Sequence, residues 1–356
     1  MALLRGYTVS GTWKECSNGK YTFGTKGGKE YFIKAFRAPK YPVEGKVPPQ
    51  TAERMIAVCK QWERTQNKLL ASLKKLAGVG GNLVVPVEIF RSGNEYCKVT
   101  LKIKMDSLSL SDIAKLPDEQ KILLLKTMSH SLRTLHKAGI VHGDLKPDNI
   151  LISRSGAGAL TTKITDFDDS YFEGYPPSPE ETVGTESYYS PELAEYICEE
   201  DKSRGGSVRC KSDIFAMGLI FHEYLVGEKP GFDGYHYAWE SVAKGCPLII
   251  SPRLTPSMYY LVQQMLSQDP RDRPTIADTF DQLKKITSAT TSTSTRRSAP
   301  PKPASRPTPP PPSASASDVV CSAVNLGNGQ YKIIYTSGKS QIVPRFFVKS
   351  KYPDLL

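Results

Sequence analysis

The chain has 356 residues, 39% of them hydrophobic, and a net charge of +11. That length suits one large domain or two of ordinary size, and no stretch approaches the ~20 consecutive apolar residues of a membrane-spanning helix. Met1-Ala2-Leu3-Leu4-Arg5-Gly6 turns polar too soon for a signal peptide, and neither Ala2 nor the ending Pro353-Asp354-Leu355-Leu356 supplies a common lipid-anchor signal.

In chain order, residues 13–14, 20–24 and 30–36 read as three strands, with Gly19 and Gly27-Gly28 at the turns. Residues 50–76 carry Met55, Ile56, Val58, Leu69, Leu70, Leu73 and Leu76 at helical spacing. Strands resume over 83–90 and 95–104. From 109 to 287 helices dominate; over 117–138, for example, Ile122, Leu125, Met128, Leu132 and Leu135 line one face. A small β-rich lobe (about 1–105) thus precedes a larger helical lobe (about 106–287).

Residues 288–317 are a Ser/Thr/Pro/Ala stretch with almost nothing to bury. They read as a disordered linker, with polyproline character around 307–312. Such a Pro-rich run can bind an SH3- or WW-type partner, but a spacer is the plainer expectation. Beyond it, 319–324, 331–335 and 341–343 read as strands of a small β module over 318–356, marginal as a core by itself. From Ser288 onward nine Lys/Arg face two Asp, so this tail carries +7 of the net charge. Without a clustered basic stripe or interleaved aromatics, nucleic acid is not an expected partner.

The segment with the most chemistry is Val141-His142-Gly143-Asp144-Leu145-Lys146-Pro147-Asp148-Asn149-Ile150-Leu151. Phosphoryl transfer from ATP needs a carboxylate to orient the attacking hydroxyl, a cation on the moving phosphate and an oxygen ligand for Mg2+. Asp144, Lys146 and Asn149 supply those groups within one loop, which resembles the catalytic loop of protein kinases. Lys163-Ile164-Thr165-Asp166-Phe167-Asp168 stands where the family has its DFG motif, so the resemblance gives Asp166 the second metal-ligand role. Asp168 replaces the usual Gly; Asp visits the left-handed region more easily than most residues, so the same turn is expected. Upstream, Tyr31-Phe32-Ile33-Lys34-Ala35-Phe36 resembles the strand that presents the ATP-contacting lysine, here Lys34.

Two elements depart from the family pattern. The phosphate-covering GxGxxG loop corresponds to Lys14-Glu15-Cys16-Ser17-Asn18-Gly19-Lys20-Tyr21, where only Gly19 matches and Ser17 or Lys20 would assist. The helix glutamate that should pair with Lys34 is Gln66, with Glu63 the nearest acid on a similar face. A neutral Gln66 would hold Lys34 by a weaker hydrogen bond.

The His142-Gly143-Asp144 and Asp166-Phe167-Asp168-Asp169 patterns also resemble small-molecule kinases of the aminoglycoside and choline type. Those lack a protein-substrate activation segment, whereas Gly184-Thr185-Glu186-Ser187-Tyr188-Tyr189-Ser190-Pro191-Glu192 resembles that of serine/threonine kinases. The resemblance implies that Thr185 bonds the catalytic Asp and Lys. It also implies that Asp213, in Lys211-Ser212-Asp213, anchors the catalytic loop, and that Arg273, in Asp269-Pro270-Arg271-Asp272-Arg273-Pro274-Thr275, forms a buried pair with Glu192. Gly143 replaces an arginine that usually receives an activation-loop phosphate, so loop phosphorylation becomes less necessary, although Ser178, Thr182 and Thr185 offer hydroxyls for it.

The expectation is an α+β, bilobal protein-kinase domain over 1–287, similar to compact bacterial members. It would be a serine/threonine protein kinase using ATP with Mg2+, or Mn2+ in its place, on protein substrates. A pseudokinase scaffold and a small-molecule kinase are the alternatives. The seven cysteines are scattered, odd in number and never in a CxxC pair, which points to free thiols and a cytoplasmic address.

Overall fold

In the computed structural model the chain divides into two units, Met1–Thr291 and Ser292–Leu356. The structure describes residues 2–294 apart from 10, 17, 78–81, 107, 155–157, 180, 181, 183, 199–201 and 233, and then 320–327, 330–335 and 340–344.

The first unit opens with a hairpin. Strands β1 (Ala2–Leu4) and β2 (Tyr7–Val9) pair antiparallel around Arg5 and Gly6, whose φ angles are 47° and 83°. Two consecutive positive φ values make the two-residue turn whose twist matches that of the flanking strands. Two three-residue strands are too short to show a period, so nothing in the sequence announces this hairpin. Strands β3 (Lys14–Cys16), β4 (Gly19–Lys26) and β5 (Lys29–Phe36) follow, with both β2 and β3 pairing to β4.

After helix α1 (Pro49–Ala77), β6 (Pro86–Ser92) and β7 (Glu95–Leu101) complete the sheet in the order β1-β2-β4-β5-β7-β6. The strand expected over 83–90 starts later because Pro86, lacking an N–H, takes a strand's first position. Leu83 bridges to Ile164 instead. Strand β7 ends at Leu101, three residues short of the expected 104.

Helix α1 joins both lobes. Its Cys59 and Trp62 pack with Phe36 and Tyr96 of the sheet, while Leu69 and Leu73 enter the helical lobe's core. That lobe contains α2 (Leu110–Ala114), α3 (Asp118–Lys137), β8 (Ile140–Val141), β9 (Ile150–Arg154), β10 (Leu160–Ile164) and β11 (Tyr171–Phe172). It continues through α4 (Pro191–Cys198), α5 (Cys210–Val226), α6 (Ala238–Ala243), α7 (Pro256–Met265) and α8 (Ile276–Ser294). All residues of α5 from Ser212 to Tyr224 are buried, which makes it the central helix.

Two short antiparallel pairs position the site. Strand β8 pairs with β11 and β9 with β10, so the loops β8–β9 and β10–β11 emerge side by side. Helix α8 runs to Ser294, so residues 288–294, expected as linker, are helical backbone. The rest of that stretch, with its Pro run, lies outside the described residues. In the second unit β12 (Val320–Gly327), β13 (Gln330–Tyr335) and β14 (Ser340–Pro344) form an antiparallel sheet in chain order.

Cys16, Cys59, Cys97, Cys210 and Cys246 are free thiols; the side chains of Cys198 and Cys321 lie outside the described residues. Among the described residues no helix is long and apolar enough to cross a membrane.

Candidate active site

The β8–β9 loop is held from below by Asp213 in the first turn of α5. Its carboxylate accepts the backbone N–H groups of His142 (2.8 Å) and Gly143 (3.1 Å), and His136 Nε2 lies 2.9 Å away. Charge-assisted bonds of this kind are stronger than neutral ones and fix the loop's entry angle. His142 Nε2 donates to the Thr165 carbonyl (3.0 Å) while Nδ1 accepts the Asp144 N–H (3.3 Å). A carbonyl only accepts, so the ring proton sits on Nε2. One imidazole thereby ties the β8–β9 loop to the start of the β10–β11 loop.

Gly143 has φ 83°, and a Cβ there would lie 2.3 Å from the Asp169 carbonyl oxygen. The two loops touch backbone to backbone at this point, which only glycine permits.

Asp144 is buried, and Lys146 Nζ lies 2.7 Å from its Oδ2. The same ammonium donates to Thr185 Oγ1 at 2.7 Å. Asn149 Nδ2 donates to the Asp144 carbonyl (2.8 Å) and to Oδ2 (3.1 Å). Asp144 Oδ1 has no hydrogen-bond partner. One carboxylate oxygen is therefore committed to positioning, and the other is left to accept a proton.

Asp166 stands at φ 60° with its side chain partly exposed, and Phe167 is buried with its ring 5.4 Å from that of His142. The left-handed residue of this turn is thus Asp166; Asp168, where that conformation was expected, is not at positive φ. Burial, then repulsion from Asp168, pushes the Asp166 carboxyl above its usual range. A nearby divalent cation favours the ionised form of such a group. Asn149 spends its amide nitrogen on Asp144 and keeps its carbonyl oxygen. Together they offer the hard oxygen donors that suit Mg2+. Burial and the charges of Asp168 and Asp144 raise Asp169 to about 8.

Lys34 is buried on β5, and its Nζ lies 2.5 Å from Asp168 Oδ2 and 3.5 Å from Asp166 Oδ2. The contact with Asp168 is a close ion pair. The helix partner expected for Lys34 is corrected by this geometry. An ammonium can only donate, and the buried Gln66 Oε1 has no hydrogen-bond partner, so Gln66 does not hold Lys34. Glu63 instead accepts the Tyr96 hydroxyl at 2.5 Å.

The other oxygen of Asp168 accepts from Lys98 Nζ at 2.5 Å. Lys98, on β7 directly opposite Lys34, is a site residue that sequence reasoning misses. Its signal is a lysine between Cys97 and Val99, within the buried run 96–99. Burial works against the charge on Lys34, but Asp168 and Asp166 outweigh it and hold the ammonium above the usual lysine range. Burial also opposes ionisation of Asp168, yet Lys98 and Lys34 hold its carboxyl below the usual carboxylate range.

Gly19 lies on β4, where a Cβ would meet the Ala35 carbonyl at 2.1 Å, so close strand packing already requires glycine. Lys20 is drawn to Glu95 at 3.0 Å, and Ser17 lies outside the described residues. Further off, Arg273 meets Glu192 through two bonds of 2.7 and 2.8 Å, both side chains being buried.

A protein kinase domain profile matches residues 52–283. The chain belongs to the protein kinase family. The match begins inside α1, so strands β1–β5 and Lys34 precede it. The chain is 32% identical over 144 residues to the serine/threonine-protein kinase drp72 of Corynebacterium efficiens, covering 39% of this chain and 25% of that protein. It is 30% identical over 183 residues to a probable serine/threonine-protein kinase PknB of Lactococcus lactis, covering 50% of this chain and 27% of that one. It is also 29% identical over 171 residues to the serine/threonine-protein kinase ULK3 of Xenopus laevis, covering 47% and 34%. The chain thus spans about a quarter to a third of the length of these relatives.

Proposed function

We propose that this chain is an active serine/threonine protein kinase, using ATP and a divalent cation to phosphorylate protein hydroxyls. The observation that carries the proposal is the chain of contacts Thr185–Lys146–Asp144–Asn149, with Asp144 Oδ1 left as an unpartnered acceptor. In this role Asp144 orients the substrate hydroxyl and takes its proton as the oxygen attacks the γ-phosphorus of ATP and the bond to the β-phosphate oxygen breaks. Lys146 supplies positive charge beside the transferring group, where it stabilises the transition state more than the ground state. Lys34 would contact the α- and β-phosphates, and Asn149 with Asp166 would hold Mg2+ or Mn2+. When bound, the metal neutralises charge on the β- and γ-phosphates.

Thr185 supports Ser/Thr as acceptor, because its hydroxyl fixes the lysine that faces the incoming side chain. The family as a whole works on protein substrates; which proteins this chain modifies is not encoded in the site. The free thiols fit a reducing, cytoplasmic setting.

The test is incubation with γ-labelled ATP and Mg2+ or Mn2+, alone and with a generic basic protein, beside Asp144→Ala. Acid-stable label on Ser or Thr, absent from the variant, is expected. Retained ATP binding with no transfer under either metal would instead indicate a scaffold, and label confined to a metabolite would indicate a small-molecule kinase.

A further inference from the structure

Two lysines sit face to face in the cleft wall. Lys34 on β5 and Lys98 on β7 are direct cross-strand partners, both buried. Like charges directly opposite one another are destabilising unless something intervenes. Asp168 intervenes: its two oxygens take one lysine each, at 2.5 Å, and its side chain is 3% exposed. Such a carboxylate is not a surface accident. Taking it out of water is unfavourable unless close, opposite charges compensate.

The helix that should supply this carboxylate has none in place. Gln66 is buried with its Oε1 unpartnered, and Glu63 is spent on Tyr96. We propose that Asp168 is the positioning residue for Lys34, replacing the helix acid and using Lys98 as its second support. The clamp is built entirely from β5, β7 and the β10–β11 loop. Lys34 therefore holds its place without a bond from α1.

This inference rests on the kinase function above and is tested so that the two can fail separately. Transfer rate, nucleotide binding and melting temperature are measured for wild type, Asp168→Asn, Asp168→Gly, Lys98→Met, Gln66→Glu and the double variant Asp168→Gly/Gln66→Glu. Asp168→Asn and Asp168→Gly are expected to lower kcat/KM for ATP by about tenfold or more, and ATP affinity with it. Lys98→Met lowers them less, since Lys34 keeps its own contact. Gln66→Glu alone changes the rate by less than about threefold. In the double variant, a carboxylate on α1 takes over Lys34 and restores most of the lost kcat/KM.

That rescue separates positioning from mere structural support, because Gln66→Glu returns a carboxylate from a different element and leaves the backbone at 168 carrying only glycine. The proposal is overturned if the Asp168 variants bind ATP and turn over as wild type does. It is equally overturned if the double variant, melting as wild type does, is no better than Asp168→Gly. Should wild type transfer no phosphate at all, the enzymatic function fails, and the same series read by ATP affinity still decides the clamp.

Discussion

Thr185 Oγ1 and Lys146 Nζ are 2.7 Å apart, and the same ammonium is 2.7 Å from Asp144 Oδ2. Two loops whose contacting residues are 39 positions apart thus meet at one charged nitrogen. Thr185→Val keeps the shape and removes the acceptor. Steady-state kinetics should show kcat falling about tenfold to a hundredfold while KM for ATP moves by less than about threefold. Thr185→Ser should retain most of the rate. An unchanged kcat in the valine variant would remove Thr185 from the site.

The Arg273–Glu192 pair is architectural. Arg273 spends all five N–H donors: Nε on Ser267, and the terminal nitrogens on Glu192 twice, Lys211 and Gln268. Ser212 Oγ adds a bond to Glu192. Removing one partner strands a buried charge, so Arg273→Ala or Glu192→Ala should each cost about 3–5 kcal/mol in urea unfolding. Replacing both by apolar residues of similar size, Arg273→Met with Glu192→Leu, should recover much of that loss.

Gly143 connects backbone packing to regulation. Gly143→Ala puts a methyl against the Asp169 carbonyl, and about 1–3 kcal/mol of stability should be lost with most of the activity. Gly143 takes the place of the arginine that would receive an activation-loop phosphate, so Ser178→Ala with Thr182→Ala should leave the rate within about twofold of wild type. Abolished activity in that double variant would show that loop phosphorylation is required after all.

His222 should make stability pH-dependent. Its Nδ1 donates to the Glu228 carbonyl at 2.6 Å, its Nε2 accepts the Ser251 N–H at 2.9 Å, and burial lowers its pKa. Above the unfolded value of about 6.5 both states are neutral and the contribution is complete. As the pH falls below that, the unfolded chain binds the proton first, and stability drops until the folded pKa is passed. Chemical denaturation from pH 7.5 to 5 should show a steeper loss for wild type than for His222→Gln. Parallel curves would exclude this histidine as the source.

The lobes and the catalytic loop are legible in the sequence because their signals are local. Helix α1 carries its apolar period across many turns, and Asp144, Lys146 and Asn149 lie within six residues. Lys98 is not legible. Its significance lies in a register that pairs it with Lys34, and register between strands 64 residues apart is set by hydrogen bonds that no local pattern reveals. Gln66 falls on the helix where the pattern puts it, but the substitute for its missing charge does not come from that helix. It comes from Asp168, which the sequence marks only by the backbone angle that its residue type tolerates.

Asp166, Phe167 and Asp168 are consecutive, yet they do three separate things. On the proposed function the first would hold the metal ion, while the second packs against His142 and the third holds Lys34. In a kinase whose lysine is anchored by a helix, cation binding and lysine placement can be lost one at a time. Here a rotation of one three-residue stretch would forfeit both together. Such wiring favours an abrupt on–off response over a graded one, and a small molecule that displaces Phe167 would throw the whole switch.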